Sequence, residues 1–251
     1  MSVARTEGGL VALLLALATA GWWSTVQHMH GMDAGPWTGL GPLGWFLGVW
    51  VVMMAAMMLP SAIPAVTLYA GLAKDRTSLA PLFFVGGYLA VWAAAGLAAF
   101  GLAAAGGRIT GGVLAWDRAG RWAAGATLLL AAAYQLTPLK DACLARCRVP
   151  LAFLLGSWRP GRSGGWRMGV THGAWCAGCC WALMAALFAL GVMSVAWTAV
   201  VAALVALEKI LPWRRVATYG AGTVLVTLGL LLFAAPAAVP GLTIPGAGPM
   251  P

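Results

Sequence analysis

The chain has 251 residues, of which 62% are hydrophobic and 8% charged, with a net charge of +9. So little polar surface excludes a soluble globular domain. Long charge-free runs at 8–32, 34–73, 77–107, 122–139, 168–207 and 216–251 match or exceed what crosses a bilayer, for which about 20 apolar residues are enough. The expected fold is therefore all-α, a polytopic transmembrane helix bundle of seven spans, or six if the first is cleaved.

Span 1 is placed at 8–27. Arg5 and the sequence Ala18-Thr19-Ala20 imitate a signal peptide, but six further spans make a retained anchor the expectation. An outer loop then carries His28, Met29, His30, Met32 and Asp33. Span 2, at 43–69, holds Met53, Met54, Met57 and Met58 and should be broken by Pro60 and Pro64, since proline at 60 frees the Ala56 carbonyl. Span 3, at 79–105, is rich in Ala and Gly and carries no evident polar chemistry. Span 4 is placed at 121–137, closed by Pro138.

The segment 140–167 reads as a cytoplasmic linker with one short helix. Span 5 follows at 168–190, span 6 at 194–207 and span 7 at 216–235, with the turn between 5 and 6 at 191–194. The Pro- and Gly-rich tail 236–251 is expected to be disordered and outside. With the N-terminus in the cytoplasm, only Arg108, Arg118 and Arg121 of the 15 Lys and Arg residues fall outside. That is a positive-inside pattern, so the basic excess is an insertion signal rather than a nucleic-acid-binding face. A bacterial inner-membrane location with a cytoplasmic N-terminus follows, with the lipid bilayer as first partner. Glu208, beside Lys209 at the end of span 6, reads as an interfacial ion pair or a buried counter-charge.

Five cysteines carry the chemistry. Cys143 and Cys147 are spaced C-x3-C, and Cys176, Cys179 and Cys180 are spaced C-x2-C-C. His172 precedes Cys176 by one helical turn, so 172, 176, 179 and 180 share a helix face. Counted from Arg167, Cys176 lies about 14 Å and Cys180 about 20 Å into a core roughly 30 Å thick. Gly165, Gly169 and Gly173 would let this helix approach a neighbour closely, and the methionine stripe of span 2 falls at a similar depth. Thiolate, thioether and imidazole groups select soft metals, Cu(I) above all. An odd cysteine count argues against a closed disulfide framework.

Taken in order, Met53-Met54-Ala55-Ala56-Met57-Met58-Leu59-Pro60-Ser61, Tyr134-Gln135-Leu136-Thr137-Pro138-Leu139-Lys140 with Cys143 and Cys147, Gly173-Ala174-Trp175-Cys176-Ala177-Gly178-Cys179-Cys180-Trp181, and Glu208-Lys209 resemble a bacterial family of multi-pass membrane proteins described as predicted metal-binding. The resemblance covers about residues 44–215. It implies a metal site at Met53, Met54, Met57, Met58, Cys143, Cys147, Cys176, Cys179 and Cys180. It leaves transport, storage and assembly open. His172 joins the set from helix spacing alone.

The expected function is binding of a soft metal, Cu(I) first, with passage or delivery across the membrane and, as a further partner, a membrane or periplasmic metal-handling protein. No nucleophile–base–acid set is present, so an enzyme is not expected. Two alternatives stand beside this: a membrane thiol–disulfide oxidoreductase using Cys176 and Cys179, and a structural subunit whose cysteines only pack.

Overall fold

The computed structural model describes residues 2–29, 40–72, 79–110, 119–192, 194–236 and 239. Among the described residues there are nine helices and no strands: α1 (Ser2–Met29), α2 (Leu43–Leu72), α3 (Ala80–Thr110), α4 (Arg121–Gln135), α5 (Pro138–Arg148), α6 (Pro150–Ser157), α7 (Gly161–Leu190), α8 (Val195–Ile210) and α9 (Arg214–Ala234). Five of them, α1, α2, α3, α7 and α9, are long and apolar enough to cross a membrane. At 15 and 16 residues, α4 and α8 fall short of that length, reaching about 22 and 24 Å at 1.5 Å per residue. Among the described residues five helices therefore have spanning length, against the seven spans expected. His30, Met32 and Asp33 of the expected outer loop, Lys74, Arg76, Asp117, Arg118 and most of the tail lie outside the described residues.

Two other expectations change. The segment 140–167 is helical almost throughout: α5 and α6 occupy most of it, and α7 begins at Gly161 rather than at 168. Nor do Pro60 and Pro64 break their helix, because α2 runs unbroken through both. Hydroxyls supply local hydrogen bonds around the prolines. Ser61 Oγ donates to the Met58 carbonyl at 2.7 Å and Thr67 Oγ1 to the Ile63 carbonyl at 2.9 Å. Such side-chain bonds are one reason apolar helices tolerate proline.

The helices pack as two units. The first comprises Met1–Thr25, Gly44–Ala98 and Ala142–Cys179. Its organising contact joins α3 and α7. Gly165, Gly169 and Gly173 of α7 stand against the backbone carbonyls of Ala80, Phe84 and Tyr88 of α3. A Cβ at Gly165 would sit 2.5 Å from the Ala80 oxygen, and one at Gly173 3.1 Å from the Tyr88 oxygen. On the facing helix, Gly87 meets the Trp166 carbonyl in the same way. Three small residues at intervals of four form one helical stripe, and only a bare Cα lets two backbones come this near.

Around this pair, α1 lies against α2 where Gly21 meets Ala56. Helix α2 is tied to α3 by the Trp50 indole N–H, which donates to the Trp92 carbonyl at 2.8 Å. The buried Tyr69 hydroxyl fastens the far end of α2 to the α6–α7 junction through the Arg159 and Gly161 carbonyls, at 3.3 and 3.2 Å.

The second unit comprises Val26–Leu43, Ala99–Asp141 and Cys180–Pro251. Here α4 packs along α9, with Trp122 and Phe233 stacked at 5.2 Å and the Phe233 ring filling the space beside Gly125. Ser194 caps α8 by accepting the Trp197 N–H. The salt bridge of Glu208 is with Lys140, 68 residues earlier in the chain, at 2.6 Å, with both side chains 1% exposed. It is a buried counter-charge to Lys140, and Lys209 adds a smaller electrostatic influence. The buried Gln135 side chain stands close to the Glu208 carboxyl.

Two stability predictions follow from these contacts. Gly169→Ala should lower stability by roughly 1–3 kcal/mol, because its methyl meets backbone that cannot give way. Gly101→Ala, in open space on α3, should be neutral or stabilise by up to about 1 kcal/mol. Thermal unfolding in mild detergent would compare them, and equal melting temperatures would contradict the close α3–α7 contact. Glu208→Gln should cost about 3–5 kcal/mol by leaving Lys140 buried and unmatched, whereas Lys140→Met combined with Glu208→Leu should recover most of that. A double variant as unstable as the single one would contradict a buried pair whose two charges compensate each other.

Candidate metal centre

Helix periodicity alone places the three C-terminal cysteines. On α7 they occupy positions i, i+3 and i+4, so their side chains project from one face. The Cys176, Cys179 and Cys180 sulfurs all lie within 4.8 Å of one another, and all three side chains are buried. The Cys179 thiol donates to the Cys176 carbonyl at 3.1 Å, the usual local use of a thiol inside a helix.

The second cysteine pair comes from α5, which lies against α7 within the first unit. Cys147 Sγ is 3.8 Å from Cys179 Sγ. One turn earlier, Cys143 Sγ packs on Gly178, at 3.0 Å from where a Cβ would stand. Any side chain larger than hydrogen at 178 would push Cys143 away, so Gly178 is what lets α5 seat. Arg146, between the two cysteines, lies over the Trp175 ring at 3.9 Å. This cation–π contact adds a clamp and a positive charge beside a group that becomes anionic once its thiols ionise. C-x3-C and C-x2-C-C, separate in sequence, thus meet at Cys147 and Cys179.

The remaining expected residues fall as follows. Met53, Met54, Met57 and Met58 are all buried on α2. His172 is buried on α7 one turn before Cys176, its ring packed among Phe84, Tyr88 and Phe153 at centroid distances of 5.8, 5.9 and 5.5 Å. His28 is exposed near the end of α1.

One residue was not foreseen. The Tyr88 hydroxyl of α3 lies 3.0 Å from Cys176 Sγ, and the contact is buried. Span 3 is therefore not without polar chemistry. The available signal was a single Tyr in an otherwise apolar helix, directly after Gly86-Gly87.

The donor set defines the class. A buried thiol cluster with no carboxylate within it is compatible with a soft metal, the class that includes Cu(I), zinc and iron–sulfur centres. A family model described as a copper chaperone, PpoB2, matches residues 47–232, and the chain belongs to that family. No curated protein and no solved structure matches the chain.

The cluster geometry makes a direct prediction. Treating metal-free protein with a small aromatic disulfide, which accepts the electron pair as the two thiols lose their protons, should join Cys147 to Cys179. Peptide mapping would locate the bond. A product confined to Cys176–Cys179 would show that α5 does not hold Cys147 at α7 and would favour the redox alternative.

Proposed function

We propose that the protein is a multi-pass membrane protein that binds Cu(I) through Cys176, Cys179 and Cys180 and exchanges it with Cys147 for delivery to another metal-handling protein. The observation that carries this reading is the convergence of the two cysteine motifs, with Cys147 Sγ 3.8 Å from Cys179 Sγ and three more sulfur contacts within 4.8 Å on α7. Membership of a copper chaperone family supports copper over zinc.

Cu(I) is written here as cargo. Thiolates bind it strongly, yet it moves between them by associative exchange: an incoming thiolate bonds before the outgoing one leaves. That path needs a spare sulfur near the first set, and Cys147 supplies one. Cys143, on the next turn of α5, extends the path by one more thiolate. The buried methionines of α2 offer weaker thioether ligands suited to passing the ion on rather than holding it. His172 is assigned a supporting place behind the cluster.

The charge distribution supports an inner-membrane orientation with the N-terminus, α5 and α6 at the cytoplasmic face. In this arrangement α4 and α8 complete seven crossings, their shorter lengths met by tilting or local thinning of the bilayer. The alternative chemistry, disulfide exchange, would use the same sulfurs without metal.

Anaerobic titration of the detergent-solubilised protein with Cu(I), followed by elemental analysis, tests the proposal. The unsubstituted protein should retain copper through buffer exchange. Cys176→Ser with Cys180→Ser should abolish retention. Met53→Leu with Met57→Leu, which keeps volume, should only weaken it. Folded protein that retains no Cu(I) would sink the proposal.

A further inference from the structure

The Tyr88 hydroxyl is buried, and its distance to Cys176 Sγ is 3.0 Å, short for an oxygen–sulfur contact. In the thiol form either atom can donate. Once Cys176 ionises to bind a soft metal it has no proton, and only the tyrosine can donate. The contact then becomes an O–H···S⁻ hydrogen bond to an anion, which is stronger than a neutral one.

The surrounding packing leaves Tyr88 little freedom. Its carbonyl is held against Gly173, three residues before Cys176, and the preceding residue, Gly87, abuts the Trp166 carbonyl. Its ring lies against His172 at 5.9 Å and 33°. His172 in turn is backed by Phe84 and Phe153. A tyrosine buried on one helix, fixed at its backbone and walled on one ring face, aims its only polar atom at one of the three clustered sulfurs.

We propose that Tyr88 is a positioning residue for the metal site: it donates to the Cys176 thiolate, fixes that sulfur toward α3 and makes Cys176 electronically distinct from Cys179 and Cys180, with His172 holding the Tyr88 ring. The proposal rests on the Cu(I) reading above. It assigns His172 an indirect role, as the wall behind Tyr88. The hydrogen bond draws electron density from one sulfur only, so the three metal–sulfur bonds are unequal and one ligand is marked for exchange.

The test uses the full chain in mild detergent with Tyr88→Phe, which keeps the ring and removes the hydroxyl. Cu(I) affinity is set anaerobically by competition with bathocuproine disulfonate, in the unsubstituted and Cys176→Ala backgrounds. Tyr88→Phe should weaken binding by about ten- to hundredfold in the first, the range for a hydrogen bond to a charged group. It should have no effect in the second, where the acceptor is gone. Equal weakening in both backgrounds, or none in the first, overturns the assignment.

A metal-free measurement separates this proposal from the copper reading. The infrared S–H stretch of Cys176, identified by its loss in Cys176→Ala, should shift in Tyr88→Phe and stay put in Tyr69→Phe. An unshifted band overturns the Tyr88 assignment whatever the metal result. A shifted band in a protein that retains no Cu(I) overturns the copper reading and, with it, the metal role given to Tyr88.

Discussion

The close approach of two backbones organises the first unit. Where Gly165, Gly169 and Gly173 of α7 meet the carbonyls of Ala80, Phe84 and Tyr88, there is no room for side chains. Five helices of the protein are apolar enough to cross a membrane, and between helices of that kind near contact of backbones is a main source of cohesion. It also sets the register. Residues four apart on each helix face each other in turn, so the position of Tyr88 relative to Cys176 is decided by glycines at 165, 169 and 173. A shift of one residue along either helix would turn the tyrosine hydroxyl away from the sulfur.

The thiol cluster was legible in the chain because its spacing matches the helix period: i, i+3 and i+4 share a face in any long helix. The approach of α5 to α7 was not. Nothing in C-x3-C says which helix it faces, and the contact depends on Gly178 giving space to Cys143 and on Arg146 finding the Trp175 ring. The glycine stripe announced a close neighbour but not its identity, and α2 with its methionines was the natural guess. The partner proved to be α3, whose Ala- and Gly-rich sequence conceals the Tyr88 hydroxyl. His172 shows the limit of periodicity. It lies on the expected helix and turn, yet aromatic rings from α3 and α6 surround its imidazole.

Helix lengths and breaks were read less well, for two physical reasons. Proline interrupts a helix in water more readily than in an apolar bundle, where side-chain hydroxyls can donate to nearby carbonyls; α2 passes through Pro60 and Pro64 intact. Polar composition also misleads near a bilayer surface. The segment after Pro138 carries enough Arg, Lys and Gly to read as a linker, but its apolar residues, Leu144, Phe153 and Leu154, are buried and draw it into helices α5 and α6. Glu208 and Lys140 share that ambiguity: each stands at a polar helix end in sequence, and each is buried because it finds the other.

That pairing has a bearing on biosynthesis. Lys140 leaves the ribosome 68 residues ahead of Glu208. In the interval its ammonium group lacks the Glu208 carboxylate, and burying it alone would cost several kcal/mol. Burial of the first turn of α5 is therefore favoured only once Glu208 of α8 is there to meet it. The ion pair thus ties burial of the first turn of α5 to the arrival of α8, with α9 still to follow.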